Sequence, residues 1–554
     1  KPVRRRIKNI DVYEINLGNR LLLLTASKGH VFDLTVRDGK WGVKEERGRF
    51  IPVYDTIKYC TKCSEQTTEP FCSKCKGKPD VDKISVVEAL RELGLEINEV
   101  LIASDPDTEG EKIGWDVGVV LKPYQMNMRR MEFHEVTKWA FLEALENPRE
   151  VDENLVKAQI VRRVADRWVG FSLSQHLWRV FGKHWLSAGR VQTPVLGWVI
   201  ERYDQSKQRV GIVSVDTEVG KFSFRIEDLR LFNSLIPDKV KVKVEGFGVK
   251  EKNPHPPFNT GELLREANAV LGLSAEKVMN LAQELFENGF ITYHRTDSTR
   301  VSTAGMGVAK EYITERFGSE FVKLRPWGEG GAHECIRPTR PVDSEGLRTL
   351  VSVSGSTSRM TENHYNLYDL IFKRFIASQM VPAKVRSVTL KIKLLPADVE
   401  VEEERIVEVV EPGWSLFIPL KVEPLGFELR EGETYYFEVV SYRKKRIPKV
   451  LPYTQGELVE EMRKRGIGRP STYAKIVETL LSRGYVVERN RRLYPTAMGR
   501  KVYGYLVDKF PEYTSEEFTR KLEELMDMVE EGKADYQEII KSLKPVLKFA
   551  GVDI

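Results

Sequence analysis

Some side chains of this chain have the types and spacing that chemistry needs. The stretch "FITYHRTDS" (290–298) starts like a β-strand and ends in a polar cluster, with Tyr293, His294 and Arg295 side by side. A phenol next to a guanidinium is either a packing pair or a nucleophile with its phosphate clamp. The stretch "SDPDTEGE" (104–111) carries Asp105, Asp107, Glu109 and Glu111. Alternate carboxylates at the end of a strand converge on one side, and such a group repels itself unless a cation neutralises it. Hard oxygen ligands with room for water suit Mg²⁺, which stabilises charge on a phosphate undergoing displacement. The plainer reading is an acidic helix N-terminus favoured by the helix dipole. Cys60, Cys63, Cys72 and Cys75 form C-x2-C-x8-C-x2-C in one short polar loop. This spacing predicts a structural zinc site, with two disulfides or four idle thiols as the alternative. Cys335 stands apart and reads as a packed thiol.

These groups need elements to position them. "EVLIASDPDTEGEKIGWDVGVVL" (99–121) reads as a buried apolar strand, an acidic turn and a helix, the α/β order that places chemistry at a strand's C-terminal end. "RLLLLTASKGHVFDL" (20–34) reads as a strand, a glycine turn and an extended segment, and "KISVVEALRELGLE" (83–96) as an amphipathic helix. Residues 153–204 read as mostly helical and arginine-rich. Two β-rich stretches, 211–250 and 385–445, flank a helical block, which predicts one β domain split around an insertion. A repeat is also visible. "PFNTGELLREA" starts at Pro257 and "PYTQGELVEEM" at Pro452, and Gly289 and Gly484 lie at the same offset from these prolines. In each copy a helix closes at glycine and a strand follows, the grammar of a winged-helix DNA-binding module, with "ERNRRLYPTAMG" as the second copy's basic wing.

The chain has 554 residues, more than one core serves, and 41% hydrophobic content marks a folded protein. Charged residues make up 30% of it with both signs interspersed, which suits a solvated surface and a hot environment. The net charge is only +6, so affinity for an anionic polymer must come from local patches such as "KPVRRRIK" (1–8), "YRKKRIPK" (442–449) and "RNRR" (489–492), each of which is also readable as a solvated face. No run reaches a membrane span and no secretory signal is present, which gives the expectation of an intracellular site with no membrane partner. The chain opens at Lys1 inside a basic run, which reads as a fragment of a longer protein.

At this point the motifs resemble a family. "ASDPDTEGEKIGWD" resembles the acidic motif of the toprim domain of type IA DNA topoisomerases, and "FITYHRTDS" the segment with their nucleophilic tyrosine. "MEFHEVT" (131–137), "RRVADRWVGFSLS" (162–174), "LSAGRVQTPVL" (186–196), "AHECIRPT" (332–339), "FKRFIASQM" (372–380) and "GIGRPSTYAKIVETLLSRGYV" (466–486) match the same family in order. The resemblance is strongest to the topoisomerase half of reverse gyrase, through the cysteine loop, "DRWVGFSLS" and Asp116 in "GWDVG". No P-loop occurs, so an ATPase would lie in a helicase-like module outside this chain, in the same protein or a separate subunit. The family's first toprim strand, resembling "VESPxKA", is not found either.

The resemblance implies a multidomain α/β, α and β protein of toroidal form. It implies an incomplete toprim domain at 1–149 with a zinc finger inserted at 57–79, and a helical base from 150–210 and 451–554. A β arch would come from 211–255 and 382–450, and a winged-helix-like domain with the catalytic tyrosine from 256–381. It implies that Tyr293 forms a 5′-phosphotyrosine link, assisted by Arg295, Glu109 and His333. Asp105, Asp107 and Glu109 would hold Mg²⁺. Arg163, Asp166 and Arg167, spaced to share a helix face, would bind DNA with Arg190, Gln192 and Arg337; a surface salt-bridge ladder is the other reading of that helix. Trp168 and Phe171 read as core. The expected partner is single-stranded or underwound DNA. The alternatives are a standalone type IA enzyme relaxing negative supercoils, a toprim nuclease or primase without a tyrosine, and a non-catalytic DNA-binding subunit.

Overall fold

The computed structural model describes residues 2–18, 20–36, 40–328, 333–354, 360–423, 428 and 430–550; Ala332, which opens the "AHECIRPT" motif, lies outside them. The chain divides into two compact units, Lys1–Pro194 with Lys501–Ile554, and Val195–Arg500.

In the first unit, the strand expected before the acidic turn is Val100–Ile102. It pairs in parallel with Met128–Arg130, Val100 opposite Met128. The crossover between them is helix α1 (Thr108–Leu121). An antiparallel sheet of Val3–Ile7, Ile10–Asn16 and Leu21–Leu24 shares a core with helix Ile84–Gly94, built on Val12, Val87, Leu90 and Leu121. Helix α2 (Glu153–Phe181) starts at Asp152, whose side chain accepts from the Asn154 and Leu155 amides, and stops at Gly182 in the left-handed conformation. Its Trp168 is fully buried and donates its indole N–H to Lys40 O at 2.9 Å, so this residue is core, as expected. Arg190 is 4% exposed and lies between Asp166 at 2.7 Å and Glu523 of helix Glu516–Glu530 at 2.6 Å.

The first strands of the second unit are β1 (Arg209–Thr217), β2 (Gly220–Ile226) and β3 (Lys239–Lys252). After a helical block come β4 (Ala383–Leu395), β5 (Val399–Glu411), β6 (Thr434–Glu438) and β7 (Ser441–Pro448). The strand orders are β2-β1-β7 and β5-β4-β3-β6, so strands from before the block pair with strands from after it. Val213, Phe222, Phe224, Val242, Leu390 and Ile392 share one core, with alternate residues turned outward.

The block and the end of this unit hold the two repeat copies. The first has helices α3 (Thr260–Leu271) and α4 (Ala275–Glu287); the second has α5 (Gln455–Lys464) and α6 (Tyr473–Ser482). Their hydrogen bonds match position by position. Gly289 and Gly484 close the helices at φ 71° and 63°. Ile336 N–H donates to Phe258 O at 2.8 Å, and Leu493 N–H to Tyr453 O at 2.8 Å. Thr339 Oγ1 donates to Gly289 O at 2.6 Å, and Thr496 Oγ1 to Gly484 O at 2.7 Å. In the second copy the expected wing forms as hairpin Val486–Arg489 and Arg492–Pro495, turned by Asn490 and Arg491 at φ 49° and 60°. The copies pack through α3 and α5, where glycine permits the approach: a Cβ on Gly456 would lie 2.7 Å from Arg265 Cα, and one on Gly261 2.8 Å from Arg463 Cδ.

Breaking a buried ion pair from one side leaves an uncompensated charge. Glu523→Ala leaves Arg190 with only the half-exposed Asp166 and is therefore expected to lower the unfolding free energy, by less than the roughly 3–5 kcal/mol of a fully stranded charge. Chemical denaturation checks this, with Glu524→Ala on the same helix as the control.

Candidate active site

The acidic turn is held from beneath. Arg130 is fully buried and donates to Ile102 O at 2.9 Å, Met131 O at 3.0 Å and Asp105 O at 2.7 Å. Its Nε donates to Glu111 at 3.0 Å, and Arg149 donates to both Glu111 oxygens at 2.9 Å. The Asp152 amide adds a bond of 2.6 Å to the same carboxylate. Burial pushes the Glu111 pKa up, yet the bonds from Arg149, Asp152 and Arg130 outweigh it and keep the group below the ordinary carboxylate range. Glu111, the fourth acid of the stretch, is thus an anchor inside the protein.

The other three acids are partly exposed at the C-terminal end of the parallel strand. Asp107 caps α1, accepting from Gly110 N–H at 2.7 Å, so the plainer reading of this turn as a helix start also holds for that residue. Glu109 Oε1 lies 2.9 Å from His30 Nε2. Gly110 makes the tight turn possible, because a Cβ there would sit 1.9 Å from Asp105 O. Behind the turn, Lys112 and Asp116 form a buried pair at 2.5 Å. Burial drives the Lys112 pKa down and the Asp116 pKa up.

Among the described residues, the group whose ligand atoms all lie within 4.8 Å of one another is Cys60, Cys63, Cys72 and Cys75. Cys60 Sγ and Cys75 Sγ are 3.7 Å apart. Zinc–sulfur bonds of about 2.3 Å in a tetrahedron give edges of about 3.8 Å, so the thiols fit a four-thiolate zinc site. The carboxylates of the acidic turn form no such closed cage. That arrangement suits Mg²⁺, which binds through one or two carboxylates and fills its shell with water and phosphate oxygens.

Tyr293 is 2% exposed, with Phe286 edge-on at 5.2 Å and His294 at 5.6 Å between ring centroids. Its segment is not a regular strand. Ile291 bridges Pro338, Thr292 N–H donates to Arg337 O at 2.9 Å, and Thr292 Oγ1 donates to Cys335 O at 2.7 Å. The pairing is short because half of it is made by a threonine side chain instead of a backbone ladder. It joins the Tyr293 segment to the one carrying His333 and Arg337. His294 is 1% exposed and its pKa is held down to about 3 by burial and by Arg295. Cys335 is fully buried, as a packed thiol should be.

The residues expected to touch DNA fall into two groups. Arg163 and Asp166 keep 37% and 51% of their side chains exposed, with Arg163 3.1 Å from Asp33. Arg167, Arg190, Gln192 and Arg337 are placed inside. Arg167 donates to Asp33 at 3.1 Å and Leu34 O at 2.9 Å. Gln192 donates to Ser187 O at 3.3 Å. Arg337 is 2% exposed, paired with Glu334, and donates to Pro338 O at 3.0 Å. The helix face is therefore partly a salt-bridge network, as its alternative reading had it. Sequence reasoning passed over His30, Arg130 and Arg149. His30 follows a glycine turn in "SKGHVFDL", and that position was the only signal for it.

Against known proteins, a DNA topoisomerase family model matches residues 150–541 and a Toprim domain model matches residues 8–136. Reverse gyrase 2 of Aquifex aeolicus is 51% identical over 98% of this chain and 46% of its own length, and reverse gyrase of Pyrococcus furiosus 46% identical over 98% and 45%. The chain thus spans about half the length of these curated relatives. Full-length topoisomerase I from Thermotoga maritima superposes with a TM-score of 0.75 at 33% identity, over 96% of this chain and 87% of that one. With its acidic turn and tyrosine segment set in this architecture, the chain belongs to the type IA DNA topoisomerase family.

Proposed function

We propose that this chain is the topoisomerase module of a reverse gyrase, and that it cuts and reseals one DNA strand through Tyr293. The observation that carries the reading is the placement of Tyr293, a phenol on a short extended segment hydrogen-bonded to the segment with His333. In the cleavage step Tyr293 Oη attacks a phosphorus atom, a phosphotyrosine bond forms to the 5′ phosphate, and the bond to the 3′ oxygen breaks. The phenol proton leaves, and the 3′ oxygen gains one. Resealing is the reverse, so bond energy is kept and relaxation needs no ATP. Arg295 favours the phenolate and holds the phosphate, and His333 orients it. A phenol only 2% exposed meets no phosphate in this packing, so DNA binding has to uncover it.

Asp105, Asp107 and Glu109 would hold Mg²⁺, which supplies charge stabilisation at the phosphate when bound. His30 fixes the Glu109 rotamer, and Asp107 also ties the turn to α1. The four cysteines hold zinc in a structural role. The exposed Arg163 and Asp166 face the strand, and Arg167, Arg190, Gln192 and Arg337 support it from inside. On this reading the toprim domain spans 1–149, the helical base 150–210 and 451–554, the β arch 211–255 and 382–450, and the tyrosine-bearing domain 256–381. In the full protein a helicase-like module would couple ATP use to positive supercoiling of cytoplasmic DNA.

Incubation with Mg²⁺ and a 3′-end-labelled single-stranded oligonucleotide, then an SDS quench, is expected to give labelled protein. Tyr293→Phe is expected to give none; an adduct surviving there would move the nucleophile elsewhere. Arg295→Ala should slow adduct formation by about a hundredfold. Atomic emission is expected to find one zinc per chain, and Cys63→Ser with Cys75→Ser should lose it.

A further inference from the structure

The two sheets of the second unit treat their charges differently. On the β5-β4-β3-β6 sheet, cations meet carboxylates: Lys250–Glu404 at 2.9 Å, Lys384–Glu411 at 3.0 Å, Arg386–Glu408 at 3.0 Å and Lys391–Glu245 at 3.5 Å. On the β2-β1-β7 sheet the pattern holds on β2 and lapses on β7. Its edge strand β7 carries Arg443, Lys444, Lys445 and Arg446 in a row. Lys444 and Arg446 lie on the side of Val213 and turn to α-helical carbonyl and amide oxygens, Asn233 O and Leu235 O for Lys444 and Asn233 Oδ1 for Arg446. Arg443 and Lys445 point the other way, are exposed, and make no ion pair among the described residues.

That outer face is laid out by the register. Arg443 lies opposite Ser214, which lies opposite Ser223. Lys445 lies opposite Ile212, which lies opposite Arg225. Lys221 and Arg225 are exposed on β2, and Val213, Val215, Phe222 and Phe224 fill the opposite side. Asp216 stands 3.3 Å from Lys221, and Glu227 stands 2.8 Å from Arg225 and 3.6 Å from Lys449. The Asp216 pKa, held low first by Ser441 and Lys221, also feels Arg443, and neither Arg443 nor Lys445 forms an ion pair among the described residues. On the middle strand β1 this face carries Ile212, Ser214 and Asp216, and the Ser214 hydroxyl is hydrogen-bonded to that of Ser223 on β2 at 3.0 Å.

We propose that this outer face, through Arg443 and Lys445 on β7, binds the phosphate backbone of duplex DNA, separately from the strand-cleaving tyrosine. Two residues of strand advance about 6.8 Å. That equals two steps of about 3.4 Å along one strand of duplex DNA, so the two cations match alternate phosphates. Such contacts carry no sequence information, which suits a substrate handled away from the chemistry.

The test is fluorescence anisotropy of a labelled 30-base-pair duplex with the full chain across a salt series. Arg443→Ala/Lys445→Ala is expected to make the slope of log K against log salt shallower by about 1.8, the counterions of two phosphates, and Lys221→Ala/Arg225→Ala, whose cations are paired with Asp216 and Glu227, to change it less. Lys384→Ala/Arg386→Ala, on the charge-paired sheet, is expected to leave the slope unchanged. Equal slopes for all four proteins would overturn the proposal. So would equal competition by polyglutamate, which would mark a general anion surface or a protein site. Adduct formation on a single-stranded oligonucleotide should be the same in every variant, which also reports intact folding. Its absence from the unsubstituted chain would count against the tyrosine reading and leave the binding result standing.

Discussion

Much of the first unit rests on one carboxylate. Glu111 sits 1% exposed, and its two oxygens are taken by donors from three separate segments: Arg130, Arg149 and the start of α2. Burying a charge this way is costly unless every lone pair finds a donor, and here they do. What the network achieves is location. Arg130 also holds Asp105 O, so the same guanidinium that neutralises Glu111 fixes the backbone of the acidic turn. Arg149 in turn grips Glu132, whose pKa is held down to about 2 by His134, against burial, with help from Arg149. The exposed acids inherit their positions from this buried lattice.

In the second unit the constraint is the duplicated module. The second copy has a tight wing, two strands and a two-residue turn. The first keeps the anchoring bonds at Phe258, Gly289 and Thr339, but a long helical excursion replaces the turn. Tyr293 lies where the tight hairpin would have continued. Losing the backbone ladder there costs local stability, and Thr292 restores part of it with its side chain. A segment held by a few bonds opens more cheaply than one held by a full ladder.

This explains what was legible beforehand. Cysteine spacing, strand alternation around the helical block, the acidic turn and the two glycine-ended helices are local or periodic signals, and the structure reproduces them. The acidic turn was readable as a metal site and as a helix cap, and Asp107 shows why, since a cap and a ligand want the same side chain. The interior arginines were not legible. Arg190 needs Glu523, Arg167 needs Asp33 and Arg337 needs Glu334, and in the first two cases the partner is more than a hundred residues away in sequence. Side-chain type marked these arginines as phosphate ligands, and only tertiary pairing shows that their charge is already committed. His30 was hidden for the same reason, because Glu109 lies far along the chain.

Committed charge also separates positioning from binding. An excess of only six cations cannot coat a polyanion, and many of the 87 basic residues are locked in pairs that stiffen the scaffold. A guanidinium already bidentate or buried gains little from a phosphate, because it must first give up a carboxylate of equal charge. A cation held only by solvent gives up counterions instead, which is favourable at low salt. Phosphate binding is therefore proposed where the pairing is weakest, on the outer face of β7 at Arg443 and Lys445, whereas Arg163 already stands 3.1 Å from Asp33. The β7 patch is not visible in the net charge.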